Sequence, residues 1–97
     1  MFNNKKKIEF DDEELSMILH SLIDYRNDVI KENGYTDEFD EFIPRLKNKM
    51  KLDENDLGLI INGLNKKRER LSNEDEEYLK ICNLLLKLID IKETIKS

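Results

Sequence analysis

Apolar residues recur at three- and four-residue steps along nearly the whole chain, the period of helices that bury one face. A stripe of Leu15, Ile18, Leu19, Leu22, Arg26, Val29 and Ile30 predicts a first helix over Asp12–Asn33. Asp11 stands where an N-cap belongs, Glu14 completes a capping box, and Phe10 and Leu15 have the spacing of a hydrophobic staple. Asn33-Gly34 predicts the stop, with the glycine taking the left-handed conformation. A second helix is expected from a Thr36 cap to about Lys49, with Phe39, Phe42, Ile43, Leu46 and Met50 inward. Pro44 interrupts that stripe and removes a backbone donor, so a kink or a restart near Ile43 is expected.

Leu52-Asp53-Glu54-Asn55-Asp56-Leu57 repeats the staple, cap and acidic first turn of the first helix. A third helix follows on Leu57, Ile60, Ile61, Leu64, Arg68 and Leu71, and a fourth, capped by Ser72 or Asn73, runs to about Lys96. Laying residues 10–30 on 52–72 superposes Asp11 on Asp53, Ile18 on Ile60, Leu22 on Leu64 and Arg26 on Arg68. The same offset carries Phe39 onto Ile81, Phe42 onto Leu84 and Leu46 onto Leu88. The expected fold is therefore all-α and a single domain, 1–97. It comprises two tandem helical hairpins, about 8–50 and 51–97, packed as an antiparallel bundle or as an orthogonal array.

Composition narrows the function. The chain is 38% apolar and 40% charged, with charges interleaved at helical spacing rather than in blocks, which favours folding over disorder. A net charge of −5 disfavours non-specific attraction to nucleic acid or to an anionic membrane. Cys82 is the sole cysteine, no apolar run reaches transmembrane length, and the N-terminal Met1-Phe2-Asn3-Asn4-Lys5-Lys6-Lys7 leads into acids rather than an apolar segment. A cytoplasmic protein is expected. Alanine, glutamine and tryptophan are absent, a bias that reads as AT-rich coding rather than as helix physics.

Catalytic chemistry has little to work with. His20 is the only histidine and has no glutamate three residues before it, so the Glu-x-x-His element of di-iron bundles is missing. Cys82 lies in the apolar run Leu79–Leu86, where a thiol is expected to be structural. We expect no enzyme activity, no cofactor and no metal site.

Surfaces remain. The fourth helix carries too many apolar residues for one buried face. With Ile81, Leu85, Leu88 and Ile89 assigned to the core, Leu79 and Leu86 project to one side, and Ile91 and Ile95 run beyond shorter neighbours. These four are candidate partner-binding residues, and a homodimer through this helix is the simplest version. A second candidate surface joins Met17, His20 and Ser21 to their counterparts Leu59, Asn62 and Gly63, where small residues would admit another helix. A competing expectation is a small nucleic-acid-associated regulator with a helix-turn-helix-like hairpin using Lys66, Lys67, Arg68 and Arg70.

Glu14-Leu15, Ile18-Leu19, Leu22, Tyr25-Arg26-Asn27, Ile30, Gly34 and the acidic run to Phe42-Ile43 form a cadence across about half the chain. It resembles the small helical-hairpin proteins of unassigned role carried by phages and mobile elements of low-GC Gram-positive bacteria. The resemblance implies an accessory protein that binds and modulates a larger host or phage protein.

Overall fold

The computed structural model describes residues 5–96, so the Met1–Asn4 part of the N-terminal segment and Ser97 lie outside them. Four helices follow in order: α1 Asp12–Lys31, α2 Asp37–Lys47, α3 Glu54–Glu69 and α4 Glu76–Lys96. The fold is all-α; the described residues outside the helices include a single isolated antiparallel bridge, Lys6 with Leu52.

The helix starts follow from their caps. The Glu14 amide donates to the Asp11 carboxylate at 2.7 Å and the Asp11 amide to Glu14 Oε1 at 3.0 Å. Asp53 and Asp56 repeat this box at the head of α3, at 2.8 and 3.0 Å. Thr36 precedes α2 but does not cap it; its hydroxyl donates to the Asp40 carboxylate instead. Helix α4 begins later than a cap at Ser72 or Asn73 predicts. The Ser72 amide donates to Asp75 Oδ2 and the Ser72 hydroxyl accepts from the Glu74 amide, which folds residues 72–75 into a turn ahead of the helix.

Two helices end through the same device. At α1 the Gly34 amide reaches back to the Val29 carbonyl and that of Asn33 to Ile30; at α2, Met50 reaches Arg45 and Lys49 reaches Leu46. Both are Schellman closures, and the left-handed residues are Asn33 (φ 61°) and Lys49 (φ 57°) rather than Gly34. Gly34 answers a different need: a Cβ there would sit 2.6 Å from Val29 Cγ1. Helix α2 continues through Pro44 with no restart. The lost amide bond falls at exposed Asp40 and Pro44, where water can satisfy the freed carbonyl.

The core draws on every helix and on Leu52 from the α2–α3 connection. Ile18 and Ile60, Leu22 and Leu64, Phe39 and Ile81, Phe42 and Leu84, and Leu46 and Leu88 are all buried, so the two hairpins use matching positions for the interior. Helix α3 packs against both α1 and α4, and α1 also packs on α2. The α1–α2 pair is locked by an edge-on Tyr25–Phe39 contact with ring centroids 4.9 Å apart and by the Arg26–Asp40 ion pair at 2.7 Å. The counterpart of Asp40 in the second hairpin is Cys82, so Arg68 meets no carboxylate at the equivalent place.

Where α1 and α3 meet, equivalent residues face one another. Gly63 lies against Ser21, and Arg70 pairs with Asp28, each 42 positions apart; one step off this register, Lys67 pairs with Asp24 at 3.2 Å. The paired positions rise together, so the two helices run in the same sense over these segments.

Candidate interaction surface

The rotation of α4 about its axis decides what it presents. Ile81, Leu84, Leu85 and Leu88 point into the core. Leu79 and Leu86 are left 59% and 68% exposed on the opposite side, with Ile89 beside them at 46%. The expected core set needs one exchange: Leu84 is interior and Ile89 is not. Half-buried Cys82 completes a Leu79, Cys82, Leu86, Ile89 series at steps of three, four and three residues. That alternation, legible in the sequence, is the signal that points to Ile89.

The C-terminal end of α4 corrects the expectation for Ile91 and Ile95. Ile95 belongs to the core at 7% exposure and Ile91 packs against it. Lys92 lines a cleft with Glu54, which places this end of α4 beside the start of α3 rather than beyond its neighbours.

The second candidate surface is largely internal. Ser21 is fully buried, its hydroxyl donating to the Ile18 carbonyl at 2.7 Å. Gly63 is buried too; a Cβ added there would meet Ser21 Oγ at 3.4 Å and Leu22 Cδ2 at 3.5 Å. The close approach that these small residues permit is made by the other hairpin of the same chain. Met17 and Leu59 pack partly on the core, while His20 and Asn62 are exposed.

Of the basic residues near the end of α3, three engage α1. Lys67 pairs with Asp24 and, at 3.8 Å, with Glu77; Arg70 pairs with Asp28; Lys66 lies 5.2 Å from the centre of the Tyr25 ring. Arg68 is half-buried. The cluster therefore neutralises neighbouring acids and does not stand out as a free cationic stripe.

Lysines also border the outer face of α4. Lys80 reaches Glu13 at 3.1 Å and Glu76 at 3.6 Å, and Lys87 reaches Glu14 at 3.0 Å while lying over the Phe10 ring. The Glu13 carboxylate, first by its hydrogen bond and then by its charge, holds Lys80 above its ordinary pKa.

Concavities flank the bundle. A cleft of about 610 Å³ lies between α2 and the start of α3, with Tyr25, Phe42 and Leu59 among acidic walls that include Glu38, Glu41 and Glu54. Gly58 opens onto it with no atom near its missing Cβ. Burial pushes the Asp56 carboxyl at its edge above the usual carboxylate range, against the Asp53 amide and the Arg45 charge, which pull it down. A groove of about 330 Å³ runs between the N-terminal segment and the end of α2, lined by Ile8, Phe10, Leu46 and Met50.

Among the described residues, no group of three or more His, Cys, Asp or Glu side chains is placed to hold a metal ion, and no helix is long and apolar enough to cross a membrane. Comparison with known proteins finds no matching family model, no matching curated relative and no matching solved structure.

Proposed function

We propose that this chain is a non-enzymatic interaction module that binds and modulates a larger protein, an accessory factor of a phage or mobile element. The observation that carries the reading is the apolar stripe of Leu79, Leu86 and Ile89 on the outer side of α4. Isolated surface hydrophobics are ordinary, but three aligned within about 15 Å of one helix form a patch that water solvates poorly. The opposite side of the same helix already supplies Ile81, Leu84, Leu85 and Leu88 to the core, so folding does not require the outer three. Each leucine buried in a docked complex would contribute roughly 1–2 kcal/mol.

The nucleic-acid reading has less behind it. Lys67 and Arg70 are engaged by Asp24 and Asp28, and the net charge of −5 opposes phosphate.

Affinity capture from a low-GC Gram-positive lysate, infected and uninfected, tests the proposal. Immobilised chain should retain a discrete protein that the Leu79→Lys/Leu86→Lys variant releases. Identical captures by both forms would remove α4 from the reading. Retention of salt-sensitive nucleic acid instead would revive the alternative.

A further inference from the structure

The connections after α1 and after α2 close in the same way but from different residues. After α1, Asn33 takes the left-handed position and Gly34 follows it, so the sequence itself specifies the turn. After α2 the left-handed position falls on Lys49, with φ 57°, and residues 48–53 contain neither glycine nor proline. Asn48, Lys49, Met50 and Lys51 are all exposed. Two backbone bonds close this turn, from the Lys49 amide to Leu46 and from the Met50 amide to Arg45. A left-handed lysine is disfavoured, and once it relaxes, lysine and methionine are residues that readily lengthen a helix. Short connections under such strain invite exchange of segments between copies.

The contact to be exchanged is matched in position and polarised in charge. Gly63 faces Ser21 and Arg70 pairs with Asp28, in each case 42 positions apart. Helix α1 brings the acids Asp24 and Asp28 to this seam, and α3 brings the bases Lys67 and Arg70. Pairing of two first hairpins (α1–α2) would set Asp28 against Asp28. Pairing of two second hairpins (α3–α4) would set Arg70 against Arg70. The charges therefore favour a first hairpin against a second one. Opening residues 48–51 leaves every contact between the hairpins available for remaking across two chains, including the bridge of Lys6 with Leu52.

We infer that two copies of this chain exchange hairpins about the Asn48–Lys51 connection, the first hairpin of each packing on the second hairpin of the other. The inference concerns the α1–α3 contact and stands apart from the α4 reading.

Sedimentation of the full chain, refolded from urea at about 1 mM and then diluted, tests it. At least roughly a tenth of the chain should be dimer, with amide shifts changed only near the connection. Dilution should return the dimer to monomer only as fast as the chains unfold. Lys49→Gly, which suits the turn, should lower the dimer fraction about threefold or more. Deleting Lys49–Lys51 should raise it to nearly all of the chain. Cross-linking identifies the contact. With Cys82→Ser throughout, Ser21→Cys chains and Gly63→Cys chains refolded together should form a disulfide between one of each, and neither should link to itself.

A parent that stays monomeric at about 1 mM would overturn the inference, even where the deletion variant fails to fold. A dimer without the mixed disulfide, or one in which Ser21→Cys chains link to one another, would do the same. Loss of the dimer in Leu86→Lys, again without the mixed disulfide, would move the contact to α4 and spare the interaction reading alone.

Discussion

Gly63 packs against Ser21, its counterpart 42 positions earlier, and the missing side chain leaves room for the Ser21 hydroxyl at ordinary contact distance. A single methyl fits there. Gly63→Ala should therefore gain helix propensity without a clash and raise stability by about 0.5–1 kcal/mol. Gly63→Leu forces the helices apart and should cost roughly 1–3 kcal/mol or more. Urea unfolding of the three forms distinguishes a contact with one methyl to spare from one already full.

Gly58 has no such neighbour, its missing Cβ facing open space in the cleft between α2 and α3. Gly58→Ala should stabilise by about 0.5–1 kcal/mol, with no change in the amide spectrum beyond adjacent residues. A loss of stability would mean that the cleft closes over this position in solution.

Lys49 ends α2 with φ 57°, a conformation that costs a side-chain-bearing residue roughly 1 kcal/mol. Lys49→Gly relieves that strain and returns part of the gain through unfolded-state entropy. The expected net rise is about 0.5 kcal/mol, seen as an upward shift in the thermal midpoint. Lys49→Val should move the midpoint the other way.

The Arg26 guanidinium, followed by the Thr36 hydroxyl, holds the Asp40 carboxyl below the usual carboxylate range. A depressed folded value means that the stabilisation is present above the unfolded value and is lost as pH falls through the folded one. Asp40→Asn should accordingly be less stable than the parent near neutrality and indistinguishable from it in strong acid. Asp56 acts with the opposite sign, since burial raises it and protonation relieves the cost. Parallel stability–pH curves for parent and Asp40→Asn would refute the Arg26 assignment.

Leu84 is interior and Ile89 is on the outer face of α4. Leu84→Ala should cost about 2–4 kcal/mol, whereas Ile89→Ala should fall within roughly 1 kcal/mol of the parent. Thermal unfolding of both variants checks the rotation of the helix directly.

How far the sequence discloses these features depends on whether the deciding interaction is local. The capping boxes at Asp11 and Asp53 involve residues three apart, and the sequence displays them. The α1–α2 hairpin is legible in its middle, where an amphipathic stripe with one polar side has only one way to face inward. Its ends are not: Ile30 and Met50, read as part of the inward stripes, are 48% and 52% exposed, and α2 stops at Lys47, short of Met50. Helix α4 is apolar around too much of its circumference for that argument. Its rotation is set by α3, so Ile89 and Leu84 exchange roles and Ile95 enters the core. Ser21 and Gly63 read as an open docking surface because the sequence does not show that α1 and α3 are neighbours. The left-handed conformation passes from Gly34 to Asn33 because the Schellman closure places it one residue earlier.

The meeting of α1 and α3 through matching positions bears on what the connection at Asn48–Lys51 accomplishes. Each hairpin offers the other the surface that a sister subunit would present in a symmetric dimer. Severing the connection would turn an internal contact into an encounter between two molecules, sensitive to dilution. Left intact, it holds the halves at an effective concentration on the order of millimolar, so even a weak mutual affinity suffices for assembly.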